Sequence, residues 1–288
     1  MKLNQLYKWN NWLPTVAALL LLTGAALLAS CGGGGNSTPP SNQDPSGLYT
    51  GTASVDDGSG GTLYLSNMNA ISYNNRVIFF STDTTGAGVN VLYDMRINAI
   101  KASTYSATVD LYDAGVKTDS TSVSGSVTHG SRLTGVFNGT KPKLKGSFDL
   151  TYQNLYARGA TSARIKSGSP QNPWAGPVSS LPLSGPDTSN LEILDIPTGV
   201  FSFQSAGTSI PPQCDFSGNI GIPDAKVNIY SVLLPKGNTT LDKSCPLTQS
   251  PPDYTGLATV VDSTGGTDNT LWFAVTNGTN SVYSEMTH

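Results

Sequence analysis

Charge is scarce in this 288-residue chain, where Asp, Glu, Lys and Arg together make up 12%, too little for a charged helical bundle or a coiled coil. Glutamate is nearly missing: of 19 acidic residues only Glu192 and Glu285 are Glu. Ser, Thr, Asn, Asp and Gly fill the positions that helix formers would take, and these types favour turns and strands. The composition therefore excludes a helical fold and points to all-β. Histidine occurs twice, as His129 at a predicted turn and as His288, which leaves little for acid–base or metal chemistry built on imidazole. The GxSxG, HExxH, Walker and GxGxxG-plus-acid patterns are absent, and no stretch gathers Lys and Arg as a nucleic-acid partner requires. The sequence thus predicts a non-enzymatic protein with no catalytic residue, no metal and no cofactor.

Long apolar runs are also lacking, with one exception. Lys2 and Lys8 precede an uncharged run from Trp12 to Ser30 that ends in Leu28-Ala29-Ser30-Cys31. A positive start, an apolar stretch and small residues before a cleavage point make a secretory signal (residues 1–30). The run is long enough to cross a bilayer, but a glycine linker follows it where a retained span would carry Lys or Arg flanks. The segment resembles a bacterial lipoprotein signal with its lipobox. That resemblance implies that Cys31 carries the lipid, that more than one acyl chain makes attachment lasting, and that Gly32, in place of Asp, directs the chain to the outer membrane. Residues 31–45 then read as a Gly/Pro/Ser tether.

Cleavage before Cys31 removes two lysines and no acid, taking the net charge from −3 to −5. Cys214 and Cys245 remain, an even pair in an exported chain, and read as a disulfide worth roughly 3.5 kcal/mol by loop entropy. The length after cleavage suits two domains. Five prolines between Ser167 and Pro186 interrupt any continuous strand pattern, so the boundary falls there: 46–166 for the first domain and 167–288 for the second.

Period-two alternation dominates both halves. In Val89–Asn98 the odd positions are Val, Val, Tyr, Met and Ile while the even ones are mostly polar, the mark of a half-buried strand. The first half yields eight such segments, near 47–54, 60–67, 71–81, 89–100, 104–113, 120–129, 131–138 and 143–153. Eight antiparallel strands with short turns close into a small barrel that leaves no edge exposed, with a two-sheet sandwich as the alternative. The inward sets include Tyr93, Met95, Tyr105, Phe137, Phe148 and Tyr152, large enough to fill such a barrel. Gly125, Gly135 and Gly146 fall at inward positions and imply tight curvature or close approach of a neighbour. The second half yields seven strands, near 190–195, 198–205, 213–221, 226–234, 254–262, 269–276 and 280–287. Trp174-Ala175-Gly176 echoes Tyr49-Thr50-Gly51, a hint of tandem duplication.

Leu133-Thr134-Gly135-Val136-Phe137, then Gly146 to Tyr152, Tyr156 and Arg158, and later Cys214 to Gly218, Tyr230, Cys245, Tyr254 to Ala258 and the stretch from Asn277 resemble a group of exported bacterial lipoproteins of unassigned function with two tandem small β-barrel domains. The likeness spans about residues 46–288 and implies fold and location but no reaction. A looser likeness, of architecture only, is to surface lipoproteins that capture host transferrin or complement factor H.

Three sets of side chains remain as candidates for contact. Lys141, Lys143 and Lys145 alternate along a predicted strand, which places them on one face, either solvated or turned to an anionic partner. Val55–Gly61 and Asp262–Asp268 offer carboxylates for Ca²⁺ but read as hairpin turns without EF-hand spacing. Asp94, Asp110 and Asp149 alternate with apolar positions and are expected to face water. The functional expectation is a membrane-anchored binding or structural module of the cell envelope, its partner an envelope or surface macromolecule. A lipocalin-like carrier of a small apolar ligand and a receptor for a host or environmental macromolecule are the alternatives.

Overall fold

The computed structural model describes residues 41–81, 91–165, 174–180, 188–195, 200–205, 216–235, 253–263 and 266–287. Cys31, Cys214, Cys245 and His288 lie outside the described residues, as do the signal and most of the tether. From Asn42 onward the chain makes one compact unit.

Eight strands open the fold: β1 (Gly47–Asp56), β2 (Thr62–Tyr73), β3 (Arg76–Ser81), β4 (Val91–Lys101), β5 (Thr104–Asp113), β6 (Val116–Thr128), β7 (Arg132–Asn138) and β8 (Lys145–Gln153). They pair antiparallel in chain order, and β8 returns to β1 to close a barrel. The alternation in the sequence decides which side chains enter it. Tyr93 and Met95 of β4, Tyr105 and Val109 of β5, Phe137 of β7 and Phe148 of β8 share one buried core. The centre of that core is aromatic: Phe79 stacks on Tyr93 with ring centroids 4.8 Å apart, and Phe137 lies 5.0 Å from Tyr93 and 5.4 Å from Phe148. Rings in such offset contact pack an eight-stranded interior.

Two inward glycines make room for the rings. Gly125 and Gly135 sit opposite each other on β6 and β7, and the same transverse row continues to Tyr105 on β5 and Phe148 on β8. A Cβ on Gly125 would stand 2.1 Å from the Thr134 carbonyl oxygen and 2.6 Å from the Tyr105 hydroxyl; one on Gly135 would stand 2.5 Å from the Phe148 ring. Tyr105 crosses the gap and donates a hydrogen bond to the Thr134 carbonyl at 2.9 Å. The close approach expected of these glycines is thus made by side chains as well as backbone.

After β8 come a 3₁₀ turn (Asn154–Arg158), a short helix α1 (Ser162–Ile165) and the strands β9 (Trp174–Ser180), β10 (Thr188–Asp195), β11 (Val200–Ser205), β12 (Phe216–Gly221), β13 (Tyr230–Leu234), β14 (Tyr254–Ser263), β15 (Gly266–Thr276) and β16 (Ser281–Thr287). These also pair antiparallel in order, and β16 pairs with β9. β9 corrects the reading of Ser167–Pro186 as free of strand: Pro177 takes a strand position opposite Thr188, where its fixed φ is tolerated and only a donor is lost. The echo of β1 is fuller in β14 than in β9. Tyr254-Thr255-Gly256-Leu257-Ala258-Thr259-Val260 repeats Tyr49 to Val55 at five of seven positions, and the Tyr, Ala and Val of each run point into their own core.

The segment before each ring crosses that ring's mouth. At the first, Gln43 N donates to the Ala102 carbonyl (2.9 Å), Asn42 Oδ1 accepts from Ala102 N (3.0 Å), Gln43 Oε1 accepts from His129 N (3.1 Å), and the Tyr49 hydroxyl donates to the Pro45 carbonyl (2.8 Å). At the second, Trp174 Nε1 donates to the Ile165 carbonyl and the Tyr230 hydroxyl to the Thr161 carbonyl, both at 2.9 Å, while Ala160 and Ile165 enter the core. Each ring is therefore stoppered by the chain that leads into it, through an aromatic donor on its first strand.

The rings stand side by side with these stoppered mouths at the same end, where Asn228 N donates to the Tyr156 carbonyl at 2.8 Å. At the other end Lys117 N donates to the Thr279 carbonyl (2.7 Å) and Ser281 N to the Gly115 carbonyl (2.8 Å). Between them runs an apolar seam of Leu48, Ile78, Phe80 and Leu92 against Leu257, Val261, Trp272 and Tyr283, with Phe80 and Tyr283 rings 5.2 Å apart. The uninterrupted run from Val77 to Phe80 in β3 serves both sides, Val77 and Phe79 turned inward and Ile78 and Phe80 to the seam.

Candidate functional site

A cleft of about 400 Å³ opens along the seam, lined by Asp94, Arg96, Asp110 and Tyr112 of the first ring and by Thr255, Thr276 and Asn277 of the second. Asp94 and Asp110 are direct cross-strand partners on β4 and β5, an arrangement that is destabilising unless each charge is compensated. Asp110 is held by Lys117 at 2.9 Å and by the Ser120 hydroxyl at 2.6 Å. Asp94 is the more constrained. Its Oδ1 accepts from Arg76 Nε (2.9 Å), its Oδ2 accepts from Arg76 Nη2 (2.8 Å) and from the Thr276 hydroxyl (2.7 Å), and Arg96 stands 3.8 Å away.

Arg76 also reaches across the seam, donating to the Thr255 carbonyl (3.1 Å) and the Thr276 hydroxyl (3.0 Å). Asp94 is only 5% exposed, which corrects the expectation that it faces water: the second ring covers the outer face of β4 there. Burial alone would raise its carboxyl, but the hydrogen bonds and charge of Arg76, with Thr276 and Arg96 adding, hold it below the usual range. Burial pushes the neighbouring Tyr112 hydroxyl up to about 12, so it stays protonated. Both Asp94 oxygens are engaged in contacts that link the rings.

The other sequence candidates do not converge on this cleft. Lys145 begins β8, but Lys141 and Lys143 lie in the turn before it, Lys143 at φ +60°, so the three do not share a strand face. Pro142 and the left-handed residue break the alternation. Each amine meets a different strand: Lys141 an Asp119 oxygen at 2.9 Å, Lys143 Asp113, and Lys145 Asp56 at 4.0 Å. The turn they hold drops Leu144, 1% exposed, into the core, and Tyr93 donates to the Lys143 carbonyl at 2.9 Å. The turn thus forms a lid over the mouth opposite the stoppered one, with Leu144 as its plug and the lysines at its rim.

Asp149 pairs with Arg132 on the outer face. In the β1–β2 turn Asp57 Oδ1 accepts from Ser59 N (2.7 Å) and Gly61 N (3.0 Å), and Asp56 Oδ1 accepts from Gly58 N (2.7 Å), which is a hairpin closure. Asp262 and Asp268 instead bind Arg158 and Arg164 of the segment that stoppers the second ring. Among the described residues no group of three or more His, Cys, Asp or Glu is placed to hold a metal ion. His129 lies at the stoppered end, its Nδ1 3.1 Å from the Asp44 carbonyl. The sequence reading missed Arg76 and the role of Arg158; the available signal is that the chain has five arginines, every one of which pairs with an aspartate.

No family model matches the chain, and no curated protein matches it. Among solved structures, a protein of unknown function from the DUF3598 family of Nostoc punctiforme is similar over 85% of this chain and 96% of its own, at 9% identity and a TM-score of 0.27. A likeness of that size carries no argument about this chain.

Proposed function

We propose that the protein is a lipid-anchored module of the bacterial outer membrane that binds a macromolecule or supports the cell envelope without catalysing a reaction. In this reading Cys31 bears the lipid, residues 31–45 tether the fold, the domains meet near Ser167, and Cys214 and Cys245 are joined. The observation that carries the non-carrier choice is the aromatic core of the first barrel, where Phe79, Tyr93, Phe137 and Phe148 occupy the space a small apolar ligand would need. That leaves outer surfaces and the seam cleft for a partner. Metabolic labelling with palmitate, followed by membrane fractionation, tests the anchor: the chain takes up label and sediments with outer membranes, and Cys31→Ser does neither. Retention of Cys31→Ser in the membrane would mean that the N-terminal run is a spanning helix. Non-reducing peptide mapping is expected to recover Cys214 linked to Cys245.

A further inference from the structure

We propose that the seam cleft binds a neutral carbohydrate, a short saccharide whose hydroxyls are met by side chains from both rings. This deepens the non-catalytic binding reading above and rests on it. The sign of a built site is Tyr112. It lines the cleft, it is 0% exposed, and its hydroxyl has no hydrogen-bond partner, a state that buried polar groups rarely keep because nothing replaces the water they lose. Thr276 lies beside it, but the Thr276 hydroxyl already donates to Asp94 and accepts from Arg76. A hydroxyl brought in by a ligand would complete Tyr112. Around it stand groups already set in place. Asp110 is fixed by Lys117 and Ser120 and still has lone pairs to offer. Arg96 is 59% exposed, and its ion-pair partner Asp94 is 3.8 Å away. Asn277 is held at the cleft by Thr279 N (2.9 Å) and Asn280 N (2.6 Å), both donating to its Oδ1.

The chemistry of the lining selects the class of ligand. Three carboxylates line the cleft, Asp94, Asp110 and Asp253, and three cations answer them: Arg96 in the lining, with Arg76 and Lys117 paired to Asp94 and Asp110. The sum is zero, which favours neither an anion nor a cation. Among the described residues no aliphatic side chain lines the cleft, so an apolar ligand would strip these polar groups of water and give nothing back. Both rings are closed, so a peptide finds no strand edge to extend. What remains is a ligand that is uncharged and polar on every side. Sugar hydroxyls both donate and accept, and a neighbouring pair of them can meet a carboxylate oxygen with one and a guanidinium N–H with the other. The cleft offers that combination: Asp110 faces Asp94 across the strands, and Arg96 follows Asp94 by two residues on the same face of β4. Its volume of about 400 Å³ suits a small ligand.

The test incubates the full chain with an array of neutral oligosaccharides and titrates it in parallel with spermidine and with inorganic phosphate. The chain is expected to retain a subset of the neutral glycans and neither charged probe. In calorimetric titrations of the best-retained glycan, Tyr112→Phe and Arg96→Gln should each weaken binding about ten-fold, the loss of one hydrogen bond. Tyr112→Phe should melt no lower than the wild type, because the hydroxyl it removes has no partner within the fold. Four results overturn the inference and leave the non-catalytic module standing: retention of no neutral glycan, binding of spermidine or phosphate in its place, glycan binding that ignores both substitutions, or a lower melting temperature for Tyr112→Phe. Glycan recovered cleaved after the incubation overturns the non-catalytic reading, and this inference with it.

Discussion

Replacing Asp94 by Asn keeps the outline of the side chain and removes its charge, leaving Arg76, 11% exposed, without a counter-ion beneath the second ring. Breaking a buried pair from one side costs about 3–5 kcal/mol, because the surviving charge is uncompensated, whereas replacing both members by apolar groups of similar volume is often neutral. Asp94→Asn is therefore expected to lower stability by about 3–5 kcal/mol. Arg76→Met/Asp94→Leu is expected to lose about 1–2 kcal/mol, chiefly from the Thr276 hydroxyl and the Thr255 carbonyl that lose partners. Urea unfolding at pH 7, followed by tryptophan fluorescence, reads both values, and the two rings should unfold in one transition. Acid gives an independent check. The Asp94 carboxyl is held low in the folded state, so its contribution is complete above the unfolded value near 4 and disappears as pH falls through the lower folded value. The wild-type chain should lose stability below about pH 4 more steeply than the double variant. A cost under about 1 kcal/mol for Asp94→Asn, or a double variant as unstable as the single one, would refute the view that this pair is a buried link between the rings.

Two further substitutions probe the first barrel. Gly135→Ala drives a methyl against the Phe148 ring and should cost about 1–3 kcal/mol by overpacking, part of it recovered by Phe148→Leu; thermal melts of the three variants decide, and no recovery would mean that backbone, not the ring, sets the limit. Leu144→Ala removes the lid's stopper and should cost about 2–4 kcal/mol, while Lys141→Ala, at a pair whose lysine is 66% exposed, should cost under about 1 kcal/mol; comparable losses in denaturant midpoints would mean that the ion pairs, not Leu144, hold the lid.

Alternation was enough to place most of the strands, because an inward position repeats every second residue whatever the partner. It failed where a second layer covers the outside. Asp94 reads as solvated from its own strand, and only the neighbouring Val77-Ile78-Phe79-Phe80, apolar at both parities, signals that the outer face of this region is buried too. β9 escaped notice because Pro173, Pro177 and Pro182 resemble linker punctuation, and the pattern carries no information about which prolines sit at positions whose donor is dispensable. The lysines misled for the opposite reason: period two is also met by a turn, and Lys143 adopts a conformation that no alternation rule anticipates. As for the cleft, it joins residues more than 140 positions apart, and no local pattern encodes such a meeting.

The order of stopper and ring along the chain has a consequence for how the molecule is made. Each stopper precedes the strands it closes, so a chain emerging N-terminus first can seal its first barrel as soon as β8 arrives. The outer face of that barrel, with Leu48, Ile78, Phe80 and Leu92, is then complete but wet. Its cover comes chiefly from β14, β15 and β16, the last strands in the sequence. Until those strands dock, a closed first barrel displays an apolar flank, so the second ring is needed to shield the first as well as to complete itself.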